Sequence, residues 1–177
     1  MPHFQQALRS IPGSAEVHNN LGIALAARGS RDEAIAEFRA AIAADPAGSK
    51  SHRNLGDVLA AAGRIDEALA AFRRATELAP GDAAMHYDFG TLLLEAGRVD
   101  EAVKAFRAAL DIAPDAVDAH NNLGIALGSQ GKLDEAIAEF RKALKIQPNF
   151  SDAQRNLVLA EGQRAQGSGR HSKNPQP

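Results

Sequence analysis

With 177 residues, 45% of them apolar, the chain is large enough to bury a core, and its lack of cysteine excludes a disulfide framework, a thiolate metal site and a thiol nucleophile. Its formal charge of −2 is uneven. Residues 1 to 161 set 17 basic groups against 22 acidic ones, a net −5, while 162 to 177 hold Arg164, Arg170 and Lys173 and no acid. Nucleic acid is therefore not an expected partner. No run approaches the roughly 18 apolar residues of a spanning helix, and Met1 to Gln6 lack a basic start followed by an apolar stretch. No membrane is expected as partner, and the expected compartment is cytoplasmic, with the periplasm open.

In chain order, Phe4, Ala7 and Pro12 stand 34 residues before Phe38, Ala41 and Pro46. Residues 1–14 thus read as a partial repeat or N-terminal cap, with 3–11 as a lone second helix. From His18 to Leu25 the chain reads HNNLGIAL, and the same eight residues return at His120 to Leu127. Asp32 to Arg39 (DEAIAEFR) return at Asp134 to Arg141 with the same offset of 102, three times 34. Weaker copies lie between, which divides the chain into four repeats at 15–48, 49–82, 83–116 and 117–150. Residues 151–163 continue the first-helix pattern as a terminal cap helix, opened by a Ser151/Gln154 capping box. Residues 164–177, with Gly167-Ser168-Gly169, read as a disordered tail.

Each recurring column has a physical role. Leu21, Leu55, Phe89 and Leu123, followed four residues later by Leu25, Leu59, Leu93 and Leu127, make the buried stripe of a first helix. Gly22, Gly56, Gly90 and Gly124 lie inside that helix, where glycine costs about 1 kcal/mol against alanine. Their recurrence predicts that a neighbouring helix backbone approaches closely there. Gly29, Gly63, Gly97 and Gly131 end the first helix, and Asp32, Asp66, Asp100 and Asp134 are placed to cap the second. In the second helix, alanine columns flank Phe38, Phe72, Phe106 and Phe140, so a large ring fills the space that small residues leave. Pro46, Pro80, Pro114 and Pro148 stop it.

These columns resemble the tetratricopeptide repeat, W-x2-L-G-x2-Y, A-x3-F and P on a 34-residue period, over residues 15 to 150. Two columns depart from that pattern: histidine replaces the first aromatic at His18, His52, His86 and His120, and leucine replaces the tyrosine. The resemblance implies an all-α, right-handed α-solenoid of stacked helix-turn-helix repeats. It implies a protein–protein interaction scaffold that binds an extended peptide or partner segment in a concave groove lined by the first helices. The alternative is a substrate-recruiting or regulatory arm of a larger enzyme, such as a glycosyltransferase, whose catalytic domain is not in this chain. Self-association through the terminal repeats is a further expectation.

No catalytic motif is present: the chain has no P-loop, HExxH, GxSxG or dinucleotide fingerprint. No enzyme activity and no cofactor are expected. The four histidines do not make a metal ladder. Equivalent residues on stacked helices lie roughly 8–10 Å apart, whereas zinc ligands each lie within about 2.1 Å of the ion. Packing is their expected role.

On the groove the resemblance places Asn19, Arg53, Tyr87 and Asn121, then Asn20, Asn54, Asp88 and Asn122, then Ile23, Asp57, Thr91 and Ile125, with Asn156 on the cap helix. The family's clamp for acidic C-terminal tails needs cations where this chain has Asp57, Asp88 and Asp118, so a partner segment of basic character is expected. Asn20, Asn54, Asn122 and Asn156 resemble the asparagine ladder in the helical arm of the O-linked N-acetylglucosamine transferase, interrupted by Asp88. Read this way, the asparagines face solvent and hold a peptide backbone, because an amide offers both a donor and an acceptor.

Overall fold

The computed structural model describes residues 13–171, with side chains described up to 166. Nine helices and no strand occur among the described residues: α1 (Ala15–Ala27), α2 (Arg31–Ala44), α3 (Ser49–Ala61), α4 (Ile65–Leu78), α5 (Ala83–Glu95), α6 (Val99–Ile112), α7 (Val117–Ser129), α8 (Leu133–Ile146) and α9 (Ser151–His171). The described residues form two compact units, one up to Met85 and the other from His86 on. In the first unit α1 packs on α2 and α3 on α4, with α2 also against α3. In the second, α7 lies against both α6 and α8, and α9 against α8. The expected all-α repeat of helical hairpins is the observed fold.

Each hairpin turns at a glycine. Gly29, Gly63, Gly97 and Gly131 have φ of 74° to 80°, a region that costs a residue bearing Cβ about 1 kcal/mol or more. Around Gly29 the Ser30 N–H donates to the Leu25 carbonyl (3.0 Å) and the Gly29 N–H to Ala26 (2.9 Å), and the same pair of bonds recurs at each of the other three glycines. This Schellman closure satisfies carbonyls that the end of a helix leaves open.

The second helices start differently from the sequence expectation. Ser30, Arg64, Arg98 and Lys132 occupy the N-cap positions with no side-chain cap bond, and the four aspartates lie in the first turn. There they favour the helix dipole without accepting a capping bond. In two repeats the N-cap arginine closes the turn instead: Arg64 Nε donates to Glu67 at 2.7 Å and Arg98 Nε to Glu101 at 2.7 Å.

The helical glycines also have a different neighbour. A Cβ built on Gly22, Gly56, Gly90 or Gly124 would lie 2.5–2.8 Å from the ring of Phe38, Phe72, Phe106 or Phe140. The occupant is the phenylalanine sixteen residues on, in the same hairpin, and not a helix backbone. Those rings are almost fully buried, between alanines that are themselves inaccessible, such as Ala34, Ala41, Ala68 and Ala75.

At the two ends the helical boundaries move. Residues 1–12, where the partial repeat is expected, and 172–177 of the tail lie outside the described residues. Helix α9, however, passes the expected end at 163 and continues to His171. Gln163 to Gln166 are acceptable helix formers, and Arg164 reaches Asp134 on α8 at 3.1 Å, tying the extra turn down. Gln154 does not complete a capping box. Its amide donates to the Pro148 carbonyl at 2.8 Å.

Candidate functional site

The first-helix residues singled out in the sequence divide into three sets. Asn20 and Asp57 are exposed, and Asn19, Arg53, Asn54, Tyr87, Asp88, Asn122 and Asn156 are half-buried; Asn121 is 6% exposed.

In the first unit Asn54 Nδ2 donates to Asn19 Oδ1 (2.9 Å), which also accepts from the buried Ser51 hydroxyl (3.3 Å). The second unit carries a longer relay. Asn156 Nδ2 donates to Asn121 Oδ1 (2.9 Å), Asn121 Nδ2 to Asn122 Oδ1 (3.3 Å), and Asn122 Nδ2 to the Tyr87 hydroxyl (3.2 Å). Three successive first helices, α9, α7 and α5, are thereby joined. In the three ties made by Asn54, Asn122 and Asn156 the residues are 35 apart, which places donor and acceptor on adjacent first helices. Ser51 entered this network unnoticed in the sequence, since serine at that column has no copy in the other repeats.

Most of these asparagines are therefore engaged between repeats. Asn54, Asn122 and Asn156 spend their amide donors between repeats, while Asn20 makes no such tie. A net contribution of about 0.5–1.5 kcal/mol per bond follows for each. Asn54→Ala and Asn122→Ala should each lower the stability of their unit by about 1 kcal/mol in urea unfolding, and Asn20→Ala by less than about 0.5 kcal/mol. Equal effects at all three positions would mean that the ties carry no stability.

Tyr87 sits 6.0 Å from Phe106, ring to ring, at 53°. Burial pushes its hydroxyl pKa up, helped by the nearby Asp118 and Asp88 carboxylates and opposed by hydrogen bonds from Thr91 and Asn122. The folded second unit thus prefers the neutral phenol. Its contribution to stability is complete below the ordinary value of about 10 and is lost as pH rises through the higher folded value. Tyr87 is the sole tyrosine in a chain without tryptophan, so phenolate absorbance reports this group alone. Its midpoint should lie above that of the urea-unfolded chain, and Tyr87→Phe should remove this component of alkaline destabilisation.

The histidine column has a polar role as well as a packing one. His120 Nδ1 lies 2.7 Å from Glu139 and its Nε2 2.8 Å from the Pro114 carbonyl, so the ring ties its own second helix to the end of the preceding repeat. His52 reaches Pro46 in the same way (3.2 Å), and Gln154 does so with an amide at Pro148. His18 pairs with Glu37 at 2.7 Å. The acid is present only where the sequence repeats most closely, since Ala71 and Ala105 occupy its column in the middle repeats. Among the described residues no group of three or more metal-ligating side chains converges.

Two cavities open on the first-helix faces, one in each unit. The first, 340 Å3, lies among α1, α2 and α3 and is lined by Ile23, Phe38, Asn54, Val58, Arg31 and Asp57, with Ala26 and Ala61. The second, 290 Å3, lies among α7, α8 and α9 and includes Ile125, Phe140, Asn156, Ala160, Leu133 and Leu159. These six are the residues 102 positions beyond the first six. The two cavities are thus one piece of architecture used twice. Each is floored by the second-helix phenylalanine and edged by an asparagine whose Oδ1 is left as an acceptor, its Nδ2 being committed to the preceding repeat. A further cavity of 700 Å3 lies beside the second helices of the second unit, bordered by His120, Glu139 and Lys145.

Among the described residues no helix is long and apolar enough to cross a membrane. No curated protein matches the chain. Solved structures do. YrrB, described as a tetratricopeptide protein with an unusual peptide-binding site, has a TM-score of 0.81 at 21% identity, over 92% of this chain and 84% of that one. MamA has a TM-score of 0.77 at 25% identity, over 82% and 85%. Pseudomonas aeruginosa pilF has a TM-score of 0.74 at 21% identity, over 92% and 78%. Likeness at these identities shows the fold. The family model for the tetratricopeptide repeat matches residues 2–49, 20–83 and 87–156, and with the hairpins, the glycine–phenylalanine packing and the 34-residue period this places the chain in the tetratricopeptide repeat family.

Proposed function

We propose that this protein is a non-catalytic interaction scaffold whose first-helix face holds an extended segment of a partner protein. Tetratricopeptide repeats mediate protein–protein interaction, and the observation that carries the reading here is the duplicated cavity with an open amide acceptor at its edge. An acceptor beside an apolar hollow suits a peptide unit, which offers an N–H next to a side chain. Adjacent first helices lie roughly 10 Å apart, the span of about three residues of extended peptide. YrrB, a protein of the same fold described as having a peptide-binding site, gives the reading a precedent.

Asp57 borders the cavity of the first unit and Asp118 is an exposed first-helix residue of the second, and each favours a segment carrying basic residues, whose binding weakens as salt rises. With few hydrogen bonds to offset the ordering of a flexible segment, dissociation constants in the range of about micromolar to millimolar are expected. Peptides selected from a displayed random library against the full chain should be enriched in lysine and arginine. Asp57→Lys with Asp118→Lys should weaken their binding roughly tenfold in calorimetry, about 1.4 kcal/mol. Binders that ignore this double change and crosslink to the second helices would show that the first-helix face is not the docking surface.

A further inference from the structure

The two cavities share their architecture but not their chemistry. Arg31 and Asp57 border the cavity of the first unit, and at the equivalent places in the second stand Leu133 and Leu159. No charged side chain lines the second cavity among the described residues, and its walls are Ile125, Leu133, Phe140, Leu159 and Ala160. Leu159 is nevertheless 58% exposed, more than a leucine serving only the core needs to be. At 290 Å3 the space lies at the small end of ligand cavities, about 300–1,000 Å3. It suits one side chain better than a cofactor.

Its polar groups are few and mostly engaged. Ser129 Oγ donates to the Ile125 carbonyl at 3.0 Å, and Asn156 Nδ2 donates to Asn121. What remains at the edge is Asn156 Oδ1, an acceptor, with the amide of the exposed Gln163. An apolar hollow with an amide acceptor beside it matches an aliphatic residue within a peptide, whose side chain leaves water while its own backbone N–H keeps a partner.

We propose that the cavity among α7, α8 and α9 is a specificity pocket for one leucine, isoleucine or methionine side chain of the bound segment, with that residue's N–H donated to Asn156 Oδ1. The pocket rests on the scaffold reading above and adds to it an apolar anchor that the acidic residues of the face do not supply. The first-unit cavity, with charges of both signs at its edge, is not equivalent for such a side chain, because an aliphatic group there would take the charged Arg31 and Asp57 side chains out of water.

The test uses the full chain and peptides selected on it from a displayed library of random linear sequences. Selected peptides should share one aliphatic position, and alanine at that position should weaken binding roughly ten- to hundredfold. Leu159→Asp should cause the same loss while leaving the helical far-ultraviolet signal and the melting temperature unchanged, since Leu159 is already largely exposed. Asp57→Leu, in the other unit, should leave the aliphatic requirement in place. Peptides with no shared aliphatic position, or binding unaltered by Leu159→Asp, would overturn the pocket; if the aspartate-to-lysine double variant still weakened binding, the scaffold reading would survive. Failure to recover any binder would overturn both. A concentration-dependent dimer abolished by Leu159→Asp would assign this leucine to a second copy of the chain and overturn the proposal.

Discussion

Gly124→Ala is expected to destabilise the second unit, while Gly128→Ala, one turn later in the same helix, is expected to stabilise it. The intrinsic helix preference is the same at both sites, about 1 kcal/mol in favour of alanine. The difference lies in what the new methyl meets. At Gly124 it would lie 2.5 Å from Phe140 Cε1 and 2.8 Å from Cδ1, whereas at Gly128 its nearest neighbour is the Ala136 methyl at 3.9 Å. Phe140 is 3% exposed and cannot swing away. Overpacking of this kind costs about 1–3 kcal/mol, occasionally more, which exceeds the helix-propensity gain. Gly124→Val, with two further carbons, should cost about 3 kcal/mol or more. Shortening the ring should relieve the clash, so Phe140→Leu with Gly124→Ala should cost less than the sum of the single changes. The chain holds its own control: Val158 occupies the glycine column on α9, where it is 69% exposed. Urea unfolding of the variants checks the sign, and a stabilising Gly124→Ala would refute the packing account.

His120→Ala should be the most damaging change in the histidine column, at about 2–4 kcal/mol in urea unfolding. Three losses combine. The Pro114 carbonyl loses a donor, Glu139 keeps only Lys142 (2.8 Å) while its side chain is 13% exposed, and a space opens beside Leu123. His52→Ala removes one longer contact to Pro46 at an exposed edge and should cost about 1 kcal/mol or less. His120→Gln should recover part of the stability, because a glutamine already makes the equivalent bond at Gln154. Combining His120→Ala with Glu139→Ala should cost less than the sum of the two, since the second change removes the stranded carboxylate. If His120→Ala were no worse than His52→Ala, the ring would be filling space and the two polar ties would carry nothing.

The residues by themselves determined the repeat, the hairpin and the family. Those signals are local: a leucine every fourth position, a glycine where φ must be positive and a proline where a helix must stop each act on their immediate neighbours. A period of 34 then multiplies one local pattern into a fold. The sequence also marked Asn20, Asn54, Asn122 and Asn156 as a related set, but their roles are non-local. Whether an amide faces solvent or the next helix depends on a partner 35 residues away, and the structure commits Asn54, Asn122 and Asn156 to the preceding repeat while Asn20 makes no such tie. The same holds for the helical glycines, whose missing methyl makes room for a ring sixteen residues on, and for Gln154, which reaches a proline carbonyl instead of its own N-cap. Arg31 and Asp57 on one cavity, against Leu133 and Leu159 on the other, are unremarkable as sequence. Only packing among three helices brings each set to one hollow, because the distances that matter there are set by how the helices stack and not by position along the chain.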